Sequence, residues 1–76
     1  MPTIAALGGI KIYIYNTEHN PPHIHAYVAE WSGSFRIADS VMTAGDLPTK
    51  SQRKVRRWLD DNRDFAAQKW RELTQG

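Results

Sequence analysis

A chain of 76 residues has room for one small domain, and a domain of this size buries only about 60% of its unfolded surface, so its core is thin. It contains no cysteine, which excludes a disulfide framework and thiolate zinc sites and fits a reducing compartment. The formal charge of +2 is uneven: residues 1–49 hold two bases and four acids, residues 50–76 eight bases and four acids. That basic C-terminal third suits an anionic partner, either nucleic acid or an acidic protein. No basic leader opens the chain and no apolar run approaches the ~20 residues of a membrane span. A cytoplasmic protein with no membrane partner is therefore expected.

Residues 10–15, Ile-Lys-Ile-Tyr-Ile-Tyr, alternate strictly after the break at Gly8-Gly9 and predict a strand. Its apolar side is Ile10, Ile12 and Ile14; its other side is Lys11, Tyr13 and Tyr15. Asn16 to Pro22 is polar and proline-rich and reads as a loop. The period of two resumes over 23–29, with Ile24, Ala26 and Val28 on one side and His23, His25 and Tyr27 on the other. Trp31-Ser32-Gly33-Ser34 looks like a hairpin turn, Phe35 to Ala38 a third strand, and Val41 to Thr43 a short fourth ended by Gly45-Asp46.

After Leu47-Pro48 the period becomes 3.6. Thr49 and Gln52 have capping-box spacing at a helix start. Val55, Trp58 and Leu59 share one side, while Lys50, Arg53, Lys54 and Arg57 share the opposite one. Asp60 and Asp61 are spaced to pair with Arg56 and Arg57. The pattern continues through Phe65, Ala66, Trp70 and Leu73, and a joint at Asp61-Asn62, giving two helices, is preferred to one long helix. The expected fold is α+β, a small antiparallel β-meander of three to four strands with two C-terminal helices packed on one face. It forms a single domain over 1–76, with the sheet in 3–43 and the helices in 49–74.

All three histidines, His19, His23 and His25, fall in the seven residues His19-Asn20-Pro21-Pro22-His23-Ile24-His25. With helices on the apolar side, the opposite sheet face would carry Lys11, Tyr13, Tyr15, His23, His25, Tyr27 and Arg36. Four readings follow. Histidines at i and i+2 of a strand can reach one divalent ion, with His19 or Glu18 returning as a third ligand. Alternatively, His23 and His25 act as acid and base on a phosphodiester, His19 orients them and Arg36 stabilises charge, which is ribonuclease-type chemistry needing no cofactor. The same face could bind RNA without cutting it, with Tyr13, Tyr15 and Tyr27 stacking on bases and Lys11, Lys50, Arg53, Lys54 and Arg57 meeting phosphates. In the plainest reading, Asn-Pro-Pro is a turn and the histidines bond its backbone. The cations in the first turns of the helix oppose its macrodipole, which hints at a purpose outside the fold.

These residues carry a likeness. Met-Pro-Thr-Ile, Gly9-Ile10, Glu18-His19-Asn20-Pro21-Pro22-His23-Ile24-His25, Gly45, Leu47-Pro48, Val55-Arg56-Arg57-Trp58-Leu59 and Trp70 occur in an order that resembles domain-of-unknown-function family 4160 of short bacterial and archaeal proteins. The resemblance spans nearly the whole chain; the histidine–proline run is its specific part. It implies one half of a two-gene unit of toxin–antitoxin type, an intracellular setting and a small cognate, antitoxin-like protein partner. A nuclease-like toxin role extends that implication; a non-catalytic interaction module and a metal-binding enzyme are the alternatives. Many members place a glycine-containing turn where this chain has Asp39-Ser40, so the hairpin there is expected to differ.

Overall fold

The computed structural model of the chain describes residues 3–15 and 20–74. Five strands, β1 (Thr3–Leu7), β2 (Ile10–Tyr13), β3 (His23–Val28), β4 (Trp31–Arg36) and β5 (Met42–Asp46), precede two helices, α1 (Thr49–Asp61) and α2 (Arg63–Thr74). The strands form one antiparallel sheet in sequence order, β1-β2-β3-β4-β5. The fold is α+β, but with five strands rather than three or four.

The differences from expectation have local causes. β1 is built from Thr-Ile-Ala-Ala-Leu, whose two alanines hide the alternation that marks a strand. β2 ends at Tyr13, two residues early. Residues Trp31 to Ser34 are strand, not turn, because the chain reverses at Ala29-Glu30, where Ala29 takes a φ of 53°. Gly33 then sits inside β4, opposite Gly45 of β5. A Cβ on Gly33 would lie 3.1 Å from Met42 Sδ and 3.5 Å from Leu47 Cγ, so a bare backbone lets β5 and Leu47 approach. Gly45 extends β5 instead of ending it, and the sheet runs on to Asp46.

The capping box does not form. Thr49 is already helical behind Pro48, no side chain caps the end, and the Gln52 amide donates to the Leu47 carbonyl at 2.8 Å. The joint between helices lies at Asn62, whose side-chain amide donates to the Trp58 carbonyl at 2.8 Å. Asp60 pairs with Arg63 at 2.7 Å rather than with Arg56, and Asp61 has no ion pair among the described residues.

One buried cluster joins Ile10, Ile12, Ile14, Ile24, Ala26, Phe35 and Ile37 to Leu47, Val55, Leu59, Ala66 and Trp70. Val28, Trp58 and Leu73 pack against it half-buried, while Phe65, expected in the core, is 40% exposed. The period of two in the strands therefore fixes two faces, and Lys11, Tyr13, His25, Tyr27 and Arg36 alternate with the residues of this cluster, while His23 meets its edge at Trp70. No described helix is long and apolar enough to cross a membrane.

Candidate functional site

Strand register sets the polar face. Lys11 lies opposite Tyr27, which lies opposite Ser32; Tyr13 opposite His25, then Ser34, then Ala44; His23 opposite Arg36. Lys11 is exposed, and Tyr13, Tyr15, His23, His25, Tyr27, Ser34 and Arg36 are half-buried. The rings pack edge-on in a connected set. Tyr13 meets Tyr27 at 5.3 Å between centroids, Tyr15 meets His25 at 4.5 Å, and His25 meets His23 at 5.0 Å. The Tyr15 and Tyr27 hydroxyls bond each other. Edge-to-face packing covers one ring face in each pair, so the tyrosines and histidines support one another as a packed floor.

His23 is oriented from two sides. Its Nδ1 lies 2.8 Å from the Pro21 carbonyl oxygen, which can only accept, so Nδ1 is the donor in that contact. Its ring also leans on Trp70 of α2, 5.2 Å away at 48°. The Ser34 hydroxyl is 3.3 Å from His25 Nδ1. His19 and Glu18, named as orienting group or third ligand, lie outside the described residues. His23 and His25 could bring two imidazoles to one ion, and no cluster of three acid, histidine or cysteine side chains occurs among the described residues.

Arg36 reaches the site with its charge partly engaged. Its Nε and Nη2 donate to the Asp39 carboxylate at 3.0, 3.1 and 2.7 Å. That hydrogen bonding, reinforced by charge, raises the guanidinium and holds the Asp39 carboxyl below the usual carboxylate range. The turn that makes this contact closes with Ser40 N donating to Arg36 O at 2.9 Å and Arg36 N donating to Val41 O at 2.8 Å. Ser40 holds a φ of 62°, the conformation a glycine would supply.

A groove of about 480 Å³ opens on this face between Asn20-Pro21, His23, Ser34, Arg36 and the Thr43-Ala44 segment of β5. The sequence pattern does not single out Ser34, Asp39, Thr43 or Ala44 as site residues. A strand beginning at Trp31 places Ser32, Ser34 and Arg36 on one side, a period of two that Gly33 masks.

Lys50, Arg53, Lys54 and Arg57 are exposed on α1 and have no ion pair among the described residues. None of the four lines the groove that His23 lines. Lys54 and Arg57 line a second groove that shares no residue with the first.

No curated protein and no solved structure matches the chain. A family described as Domain of unknown function (DUF4160) matches residues 9–71, a span that contains the histidine–proline run, the sheet from β2 onward, α1 and most of α2. On that span, well over half of its length, the chain belongs to the DUF4160 family.

Proposed function

We propose that the protein is the toxin-like member of a two-gene pair, acting in the cytoplasm, and that its histidine, tyrosine and arginine face engages single-stranded RNA. The reading takes both helices to cover the Ile10, Ile12 and Ile14 side of the sheet, leaving the polar side to a ligand. The observation that carries it is the groove where His23, Ser34 and Arg36 meet. An imidazole, a hydroxyl and a guanidinium are the acceptors and donors that a phosphodiester calls for. Asp39 takes the Nε edge of Arg36, so a phosphate would meet the Nη1 side. If the strand is cut, Nε2 of His23 takes the 2′-hydroxyl proton and the 2′-oxygen closes on phosphorus. His25 then returns a proton to the departing 5′-oxygen, leaving a 2′,3′-cyclic phosphate.

A non-catalytic surface for a small cognate protein is the second reading. The Arg36–Asp39 pair favours it, because it offsets the charge that a phosphate would otherwise meet in full. Two measurements separate these readings. Fluorescence anisotropy with a single-stranded RNA oligonucleotide is expected to give an affinity that falls with salt and weakens in Arg36→Ala; no binding at low salt refutes the RNA reading. Expression is expected to arrest growth, and folded His23→Ala and His25→Ala variants to relieve the arrest. Undiminished toxicity in both would remove the histidines from the mechanism.

A further inference from the structure

The second groove, about 380 Å³, lies between the β1–β2 turn and α1 and is lined by Leu7, Gly8, Lys54, Arg57, Trp58 and Asp61, among others. Its size is in the range of sites that take a side chain or a small ligand. Leu7 and Trp58 are half-buried and give it an apolar floor. Trp58 is backed by Phe65, edge-on at 6.4 Å, and a Cβ at Gly8 would touch nothing within 4 Å, so the turn leaves the mouth open.

The charges around it make no ion pair among the described residues. Arg57 and Asp61 have the i,i+4 spacing of a helix ion pair, yet neither is paired among the described residues. Lys54 and Arg57 continue a row that begins with Lys50 and Arg53, and α1 has no acid in its first turn. Lys50 and Arg53, in its first turns, act against the positive end of the helix dipole. Lys54 and Arg57 together outnumber Asp61 in the lining, so an anionic ligand is favoured there.

We propose that this groove docks an acidic segment of another protein, with an aliphatic or aromatic side chain entering between Leu7 and Trp58 and flanking carboxylates meeting Lys54 and Arg57. Charge complementarity selects the carboxylates, and Asp61 selects against RNA. Asp61 stands in the lining and would repel a continuous phosphate chain, whereas a peptide places its charges only where the cations are. The surface is separate from the histidine groove, so a ligand here can be bound while that face stays open.

The test uses the full chain and a fluorescein-labelled peptide in which glutamates flank a central leucine, with a glutamine-for-glutamate peptide as control. Saturable binding of the glutamate peptide is expected, with the Trp58 indole NMR signal shifting. Affinity should fall at least about tenfold, a loss of ~1.4 kcal/mol, in the K54E/R57E variant and in the control peptide. Both replaced residues are exposed, and an unchanged circular dichroism spectrum confirms that the variant folds. Equal binding of the two peptides, undiminished binding by K54E/R57E, absence of binding, or a Trp58 signal that responds to single-stranded RNA and not to peptide would each overturn the proposal.

Discussion

Ser40 offers the sharpest test of how the site is held. It is 5% exposed, sits at a φ of 62°, donates from Oγ to Asp60 Oδ1 at 2.7 Å, and accepts from Arg63, whose Nε also donates to the Ile37 carbonyl at 2.8 Å. The side chain therefore ties the Arg36–Asp39 turn to the α1–α2 joint while its backbone carries the strain of a left-handed residue. Relief of that strain by glycine is worth roughly 1–2 kcal/mol. Loss of hydrogen bonds to charged partners costs roughly 1.5–3 kcal/mol, toward the low end here because Asp60 and Arg63 are 59% and 36% exposed and can rehydrate. Ser40→Gly should thus fall within about 1 kcal/mol of the parent, and Ser40→Ala, which keeps the strain and loses the bonds, about 1.5–3 kcal/mol below it. At roughly 4–8 °C per kcal/mol for a domain this size, thermal unfolding followed by circular dichroism should place alanine on the order of 5–15 °C below glycine. An alanine variant as stable as the glycine variant would refute the assignment of strain and bonding to this residue.

The other expectations use the same physics. Gly45 has a φ of 86°, and a Cβ there would meet Ser32 O at 2.4 Å and Gly33 Cα at 2.7 Å, so Gly45→Ala should cost about 2–4 kcal/mol and loosen β5 first, seen as lost amide-exchange protection over 42–46. Asp39 and Asp60 are held below their ordinary range, by hydrogen bonds first from Arg36 and from Ser40 respectively. Each depressed carboxyl adds stability that is present above the unfolded value near pH ~3.9 and lost as pH falls through the folded one. Acid titration of thermal stability should therefore steepen below about pH 4 and be shallower in Asp60→Asn, an equal slope counting against the Ser40–Asp60 bond. Ser34→Leu should fill the histidine groove while changing stability by less than about 1 kcal/mol, and should weaken RNA binding at least tenfold by anisotropy; unchanged binding would take the ligand out of that groove.

What the sequence reveals of this fold follows the strength of its periodicities. β2 and β3 alternate β-branched and aromatic residues against polar ones, so their inner faces, and with them the placement of Tyr13, His23, His25 and Tyr27, are legible residue by residue. α1 and α2 are legible because Val55, Leu59, Ala66 and Trp70 recur at helical spacing. β1 is not, since alanine is as much at home in a helix as in a strand. β4 and β5 mislead because Gly33 and Gly45 look like turn residues, whereas each lies within a strand where the two backbones come together. The Arg36–Asp39 pair, the Pro21 carbonyl on His23 and the Trp70 contact depend on how turns and a distant helix meet the sheet, which no local pattern encodes.

That division bears on how a function can be assigned to the histidines. His23 is bonded to its own loop and packed on α2, which is also what a purely structural histidine would do, so losing its side chain perturbs fold and site together. Ser34 is different. Its side chain makes one long hydrogen bond among the described residues, at 3.3 Å to His25, and it lines the groove from the middle of β4. A change there alters the groove's shape without removing a tie that the sheet depends on. In a domain this thin-cored, where almost every ordered side chain serves the fold, the residues that report on function most cleanly are those the fold uses least. Ser34 on the histidine face, and Lys54 with Arg57 on α1, meet that condition; His23 and Ser40 do not.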